Sequence, residues 1–170
     1  MINIWNPKTD GHFINDFRGK LLKKGFLKTD IDVIIENAKD ALSKTIDPKN
    51  PNQNNETFKT NLVLGYIQSG KTTSMEAVSC LARDNGFKLM IILSGHVSNL
   101  ADQTEERVYE SLDQFGWNRI PIKSGQKPQL EKDLSLFKDL IGSDETLFIE
   151  EEEKPAGLIV LMKQHQRIGK

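Results

Sequence analysis

Apolar positions recur along this chain in short blocks, and the spacing within the blocks changes from helical to strand-like. Residues 1–28 are mixed in pattern, with three glycines among several lysines. Thr29 or Asp30 can then cap a helix that is predicted to end near residue 47. Its apolar stripe comprises Ile31, Ile34, Ile35, Ala38, Ala41 and Leu42. Residues 48–57 contain no hydrophobic residue, which predicts a surface linker.

Beyond the linker, short apolar runs alternate with helical patterns. The runs at residues 62–64, 88–93, 146–149 and 158–162 predict strands. Helical spacing follows the first run up to Asn85 and Gly86, and it recurs over residues 98–112 and 128–141. Strands that alternate with helices indicate an open parallel sheet with right-handed crossovers. The apolar run at 88–93 predicts a strand that is buried on both faces.

Residues 65–72, G-Y-I-Q-S-G-K-T, match every fixed position of the phosphate-binding loop pattern G-x-x-x-x-G-K-[ST]. Such a match arises by chance in roughly one of two hundred chains of this length, and here it also lies between a predicted strand and a predicted helix. The glycines allow successive N–H groups to face phosphate oxygens, and the helix start adds partial positive charge. A nucleotide triphosphate would contact Gly65, Gln68, Ser69, Gly70, Lys71, Thr72 and Thr73. Lys71 is the catalytic candidate because it would reach the outer phosphates, and the Thr72 hydroxyl would bind Mg²⁺. The alternative is a chance glycine turn before an ordinary helix.

Composition narrows the possible partners. The 170 residues include 23 basic and 24 acidic ones, a formal net charge of -1 that gives no global attraction to nucleic acid. Cys80 is the single cysteine, lies on the apolar side of its helix and is predicted to be a buried small hydrophobe. No apolar run approaches membrane-spanning length and the first residues lack a signal-peptide pattern, so we expect a cytoplasmic chain with no membrane partner.

A second candidate site follows the predicted strand at residues 88–93. The next turn should emerge at the carboxyl edge of the sheet, beside the phosphate loop, where open α/β folds place ligands. Ser94, Gln103, Thr104 and Arg107 are the candidate contacts there. A plain amphipathic helix with its polar side in water explains the same residues.

These segments together resemble one family. The Gln-Ser-Gly-Lys-Thr form of the loop, then G-F-K-L-M-I-I-L-S-G at residues 86–95, then Leu100, Gln103, Thr104 and Arg107 resemble the start of the Z-one family. That family comprises large bacterial ATPases with a helicase-like motor, found with restriction-type and phage-defence genes. The likeness covers residues 60–110 well and residues 157–168 more weakly. It implies ATP and Mg²⁺ as ligands, DNA as a partner of the full-length parent, and Ser94, Gln103, Thr104 and Arg107 on the nucleic-acid or interdomain side.

We therefore predict an α/β fold: a RecA-like P-loop open parallel sheet flanked by helices, incomplete, with an N-terminal helical appendage. Its predicted parts are an appendage at 1–47, a linker at 48–57 and a partial P-loop NTPase domain at 58–170. A motor ATPase needs a second acidic motif, and the one candidate is residues 147–151, with Glu150 where aspartate normally stands. A strand running into a solvated acidic turn is the commoner explanation. We accordingly expect an N-terminal fragment of a longer motor with negligible turnover alone.

Two other functions stay open from the sequence. One is a small stand-alone P-loop nucleotide kinase or GTPase-type switch, although neither a base-recognition motif nor a substrate lid is visible. The other is a nucleotide-binding interaction module without turnover, which would contact a partner protein through the helix at residues 30–45. A stripe of this kind more often packs on a neighbouring element of the same chain.

Overall fold

The computed structural model describes residues 5–49, 70–94, 106, 108–120, 135 and 156–162. Those residues form helices α1 (His12–Lys23), α2 (Lys28–Ser43) and α3 (Lys71–Asp84), strands β1 (Leu89–Ser94), β2 (Asn118–Arg119) and β3 (Gly157–Met162), and a 3₁₀ turn at Asp113–Phe115. Residues 108–112 are also helical. Helices combined with an all-parallel sheet confirm the α/β class. The chain divides into two compact units, Met1–Phe87 and Lys88–Lys170.

The predicted apolar stripe of α2 is real and is buried inside the first unit. Its innermost side chains, Ile31, Ile35, Ala38 and Leu42, are each at most 4 % exposed, and α2 packs on α3. This burial favours packing on a neighbouring helix over recruitment of a partner through the same face. The predicted start was wrong: α2 begins at Lys28, with Leu27 as its N-cap, so that Thr29 and Asp30 lie within the first turn.

Helix α1 was not predicted, although its apolar residues have helical spacing. Phe13, Ile14, Phe17 and Leu21 are all buried. No side chain of its own caps the start of this helix, because the N-cap position is Gly11. The usual sequence signal for a helix start is therefore missing.

The cap of α1 comes from the far end of α3. Asp84 Oδ1 accepts a hydrogen bond from the Phe13 N–H at 3.0 Å, and Asp84 Oδ2 accepts one from the Ile14 N–H at 2.9 Å. The carboxylate thus satisfies two N–H groups that have no acceptor within α1, at the positive end of that helix. A Cβ at residue 11 would overlap the Asp84 side chain, so the close approach requires Gly11.

Asn85 extends this contact by one residue. Its side chain accepts a hydrogen bond from the Lys8 N–H at 2.8 Å and donates one to the Lys8 carbonyl at 3.0 Å. We call the two side chains the Asp84/Asn85 clamp. Beside it, Arg83 lies 5.1 Å from the centre of the Phe13 ring. Burial lowers the pKa of the Arg83 guanidinium, and the neighbouring Asp84 carboxylate opposes that shift.

The clamp sets the direction of the helices in the first unit. The beginning of α1 lies at the end of α3, and Lys20 near the end of α1 contacts Glu76 near the beginning of α3. The two helices are therefore antiparallel. Trp5 contacts the residues that follow α2 and α3. Its indole N–H donates to the Thr45 carbonyl at 3.1 Å, and its ring lies 6.4 Å from that of Phe87. The end of α2 thus lies near the end of α3.

The second unit contains a parallel sheet with strand order β1-β3-β2. β1 pairs with β3 from Leu89↔Gly157 to Ser94↔Met162, and β2 pairs with the start of β3. The strands predicted at 88–93 and 158–162 are confirmed, whereas β2 has only two residues and was not predicted. The central strand is buried at Leu158, Ile159 and Val160.

One expectation about β1 was wrong. Ile91 and Leu93, which alternate along the strand and so share a face, are 51 % and 66 % exposed. The apolar run therefore predicted the strand correctly, but it did not indicate burial of both faces.

The Tyr109 hydroxyl accepts a hydrogen bond from β3 just beyond the end of β2. The Ile120 N–H, directly after β2, donates to the Leu158 carbonyl at 2.9 Å. Farther along β3, the Val160 N–H donates to the Tyr109 hydroxyl at 3.3 Å. The Arg119 guanidinium lies 4.3 Å from the centre of the Tyr109 ring. Trp117 is 1 % exposed, so its side chain packs in the interior of the second unit.

The other expected segments fall on residues that the structure leaves undescribed. The predicted strands at 62–64 and 146–149, most of the helix at 128–141 and most of the linker lie outside the described residues. The predicted limits of the appendage, the linker and the partial NTPase domain stay predictions. Within the first unit, α3 packs with both α1 and α2.

We predict that Asp84→Ala lowers the free energy of unfolding by about 2–3 kcal/mol, because it leaves two buried N–H groups without an acceptor. Urea unfolding followed by circular dichroism measures the change. The matched control is Asp40→Ala, which removes an exposed carboxylate of α2 that pairs with Lys44, just after the end of that helix. An exposed pair of this kind contributes about 0.5 kcal/mol or less. Equal losses in the two variants would contradict the capping role.

Candidate phosphate-binding site

Gly70, the last glycine of the sequence pattern, lies directly before α3 in a backbone conformation that favours glycine. Gly70 adopts the left-handed conformation, with φ 75° and ψ 27°, and the helix begins at the next residue, Lys71. A side chain at position 70 would be strained at this φ, so the glycine of the sequence pattern meets a backbone requirement. The helix begins where the pattern places it.

The first turn of α3 is open to solvent. Gly70, Thr72 and Ser74 are exposed, and Thr73 is half-buried. The Ser74 N–H donates to the Gly70 carbonyl at 3.0 Å, which closes the first turn. The N–H groups of residues 71–73 precede that bond and have no acceptor within the helix.

The electrostatics of this end suit an anion. The first turn of α3 contains no acidic residue, so the partial positive charge of the helix start is not offset there. Glu76 follows in the second turn, where its buried carboxylate pairs with Lys20 of α1 at 3.3 Å. The start of a helix attracts phosphate oxygens through its free N–H groups and its partial positive charge. At the start of α3, no unpaired carboxylate of the same helix lies nearby to oppose that attraction.

The predicted contact residues are placed only in part. Gly70, Lys71, Thr72 and Thr73 lie together at the start of α3, at the positions that the pattern requires. The other three predicted contacts, Gly65, Gln68 and Ser69, lie outside the described residues. The proposed roles of Lys71 in catalysis and of Thr72 in Mg²⁺ binding stay predictions.

The second candidate site is described at one residue. Ser94 is the last residue of β1 and is level with Met162 at the end of β3, so both strands end at the same edge of the sheet. Gln103, Thr104 and Arg107 lie outside the described residues, as does the acidic candidate Glu150. The expected proximity of this edge to the phosphate loop is a prediction.

Cys80 is the single cysteine of the sequence and lies in the first unit. Its side chain is fully buried on α3, as predicted. Burial raises the pKa of the thiol well above its usual range, and the carboxylates of Asp84 and Glu76 raise it further. The thiol therefore stays protonated at neutral pH, and thiolate reactivity is suppressed.

Two kinds of feature are absent from the described part of the chain. No group of three or more histidine, cysteine or acidic side chains there is arranged to hold a metal ion. None of the helices described combines the length and the apolar character needed to cross a membrane.

Comparison with known proteins does not identify a relative. No protein-family model matches the chain, and neither the curated proteins nor the solved structures contain a significant match.

The sequence pattern predicted the start of α3 but not the charges around it. The Lys20–Glu76 pair joins two helices through residues that are 56 positions apart in the chain. Neither residue is distinctive locally, and the helix that carries Lys20 was itself not predicted. The pair had no sequence signal.

Proposed function

We propose that residues 65–73 bind the phosphates of a nucleotide triphosphate with Mg²⁺. The observation that carries the proposal is the complete loop pattern, whose last glycine is in the left-handed conformation directly before a helix that starts at its lysine. The exposed first turn and the lack of an acidic residue within it support the same assignment. Lys71 would contact the outer phosphates and Thr72 would bind the metal ion.

We further propose ATP as the nucleotide and a RecA-like arrangement for the partial NTPase domain. The parent protein would be a cytoplasmic, helicase-like motor ATPase that acts on DNA in bacterial restriction or phage defence. This wider proposal is supported by the resemblance of residues 60–110 to the Z-one family. Ser94, Gln103, Thr104 and Arg107 would then lie on the DNA or interdomain side of that motor.

The phosphate site is tested by replacing its lysine. A ligand that binds only the folded state raises stability by RT ln(1 + [L]/Kd), which is about 2.7 kcal/mol at a hundredfold excess over Kd. We expect Mg-ATP to raise the melting temperature of the natural chain and not that of Lys71→Ala.

Lys44→Ala is the matched control, because Lys44 is an exposed lysine just after the end of α2, where it pairs with Asp40. Mg-ATP should stabilise this variant as it stabilises the natural chain. An equal melting shift in Lys71→Ala would rule out the assignment.

We predict negligible ATP turnover by this chain, with or without DNA. Phosphoryl transfer needs several charged groups around the transition state, and supplied arginines alone contribute roughly a thousandfold or more in related NTPases. The assay is phosphate release with and without duplex DNA, using Glu150→Gln as the comparison. Robust hydrolysis that Glu150→Gln abolishes would contradict the prediction and would identify residues 147–151 as the metal-holding strand.

The same measurements separate the three functions. Nucleotide binding with no turnover by the chain, together with DNA-dependent turnover by the full-length parent, supports the motor. DNA-independent turnover by the chain alone would favour a kinase or a GTPase-type switch. Weak nucleotide binding without turnover in either form would favour an interaction module.

A further inference from the structure

A buried charge pair lies behind the start of α3. Glu76 Oε2 is 3.3 Å from Lys20 Nζ, with 9 % of the glutamate side chain and 20 % of the lysine side chain exposed. Glu76 is five positions after Lys71, which corresponds to about 7.5 Å along the helix axis. The carboxylate therefore lies one to two turns from the groups that would face a nucleotide triphosphate.

The charge of Glu76 has the wrong sign for this location. A negative side chain near the beginning of a helix is favourable for the helix itself, but it repels a polyanion bound at that end. Glu76 is partly shielded from water, so solvent screens its charge less than that of a surface residue. Lys20 supplies the compensating charge from another helix, because the antiparallel packing of α1 brings it level with the second turn of α3.

We propose that Lys20 is a positioning residue for the phosphate site, acting through Glu76. By pairing with the carboxylate, Lys20 removes the negative charge that a triphosphate at the start of α3 would otherwise meet. This role rests on the proposed nucleotide binding. It makes α1 part of the nucleotide-binding unit, although α1 precedes the loop by more than forty residues.

The role predicts the sign of each change in charge. Lys20→Met leaves Glu76 negative and should weaken Mg-ATP binding about three- to tenfold at low salt, from the repulsion of charges about 10 Å apart near a protein surface. Glu76→Gln leaves Lys20 positive and should make binding tighter. The double variant Lys20→Met/Glu76→Gln is neutral and should bind like the natural chain, as should Lys20→Arg.

The experiment is isothermal titration of the full chain with Mg-ATP at low and high salt, at a temperature where circular dichroism shows each variant to be folded. Raising the salt to about 1 M should shrink the differences among variants, because the Debye length falls to about 3 Å. A purely structural pair would lower stability in both single variants without this opposite pattern in affinity.

Distinct outcomes overturn the two proposals. Unchanged affinity in all variants, or weaker binding in both Lys20→Met and Glu76→Gln, overturns the role of Lys20 while the phosphate site stands. No binding by the natural chain overturns the phosphate site itself. If Lys20→Met does not fold, Glu76→Gln alone decides, since binding no tighter than that of the natural chain contradicts the proposal.

Discussion

The first unit depends on one buried carboxylate. Asp84, the last residue of α3, accepts hydrogen bonds from two N–H groups at the start of α1. An acidic residue at the end of its own helix is unfavourable, because the partial charge there is already negative. The same carboxylate is favourable at the start of α1, where the partial charge is positive. Gly11 leaves space for the Asp84 side chain to approach. The contact joins residues that are 70 or more positions apart in the chain.

The geometry of the proposed site follows from that contact. Once the beginning of α1 is held at the end of α3, its last turn lies toward the beginning of α3, where the phosphate pattern begins its helix. Lys20 then meets Glu76, and a buried negative charge near the proposed phosphate site is neutralised. The same packing buries the stripe of α2, so two helices, α1 and α2, pack on α3. The loop pattern and its supporting charges therefore come from distant parts of the chain.

Local patterns predicted the elements whose signals are local. The stripe of α2, the end of α3 at Asn85 and Gly86, and the strands β1 and β3 follow from residue spacing and turn residues. Helix α1 also has apolar residues at helical spacing, but its start has no local cap, because the cap belongs to a residue 70 positions later. Asp84 itself was a sequence signal, because an acidic residue is unfavourable at the end of its own helix. A residue that conflicts with its local structure often stabilises another element. β2 is too short to show a period.

The part of the candidate site that could be predicted from the sequence is likewise formed by residues that are adjacent in the chain. Gly70 and Lys71 occupy the glycine-to-helix junction that the pattern requires. The pairing of Lys20 with Glu76 could not be predicted, since it depends on the packing of two helices. A loop pattern can thus indicate where phosphate would bind, whereas the charged residues around that position depend on the fold.

Native-state hydrogen exchange at Phe13 and Ile14 tests most directly whether α1 and α3 form one cooperative unit. Our expectation is that these two amides open with the same free energy as those of Cys80 and Leu81 in the core of α3, and that Asp84→Asn lowers the opening free energies of both sets together. Rapid exchange at Phe13 and Ile14 alongside well-protected amides in α3 would contradict it, because α1 would then be a fraying terminus and not part of the unit that carries the proposed site.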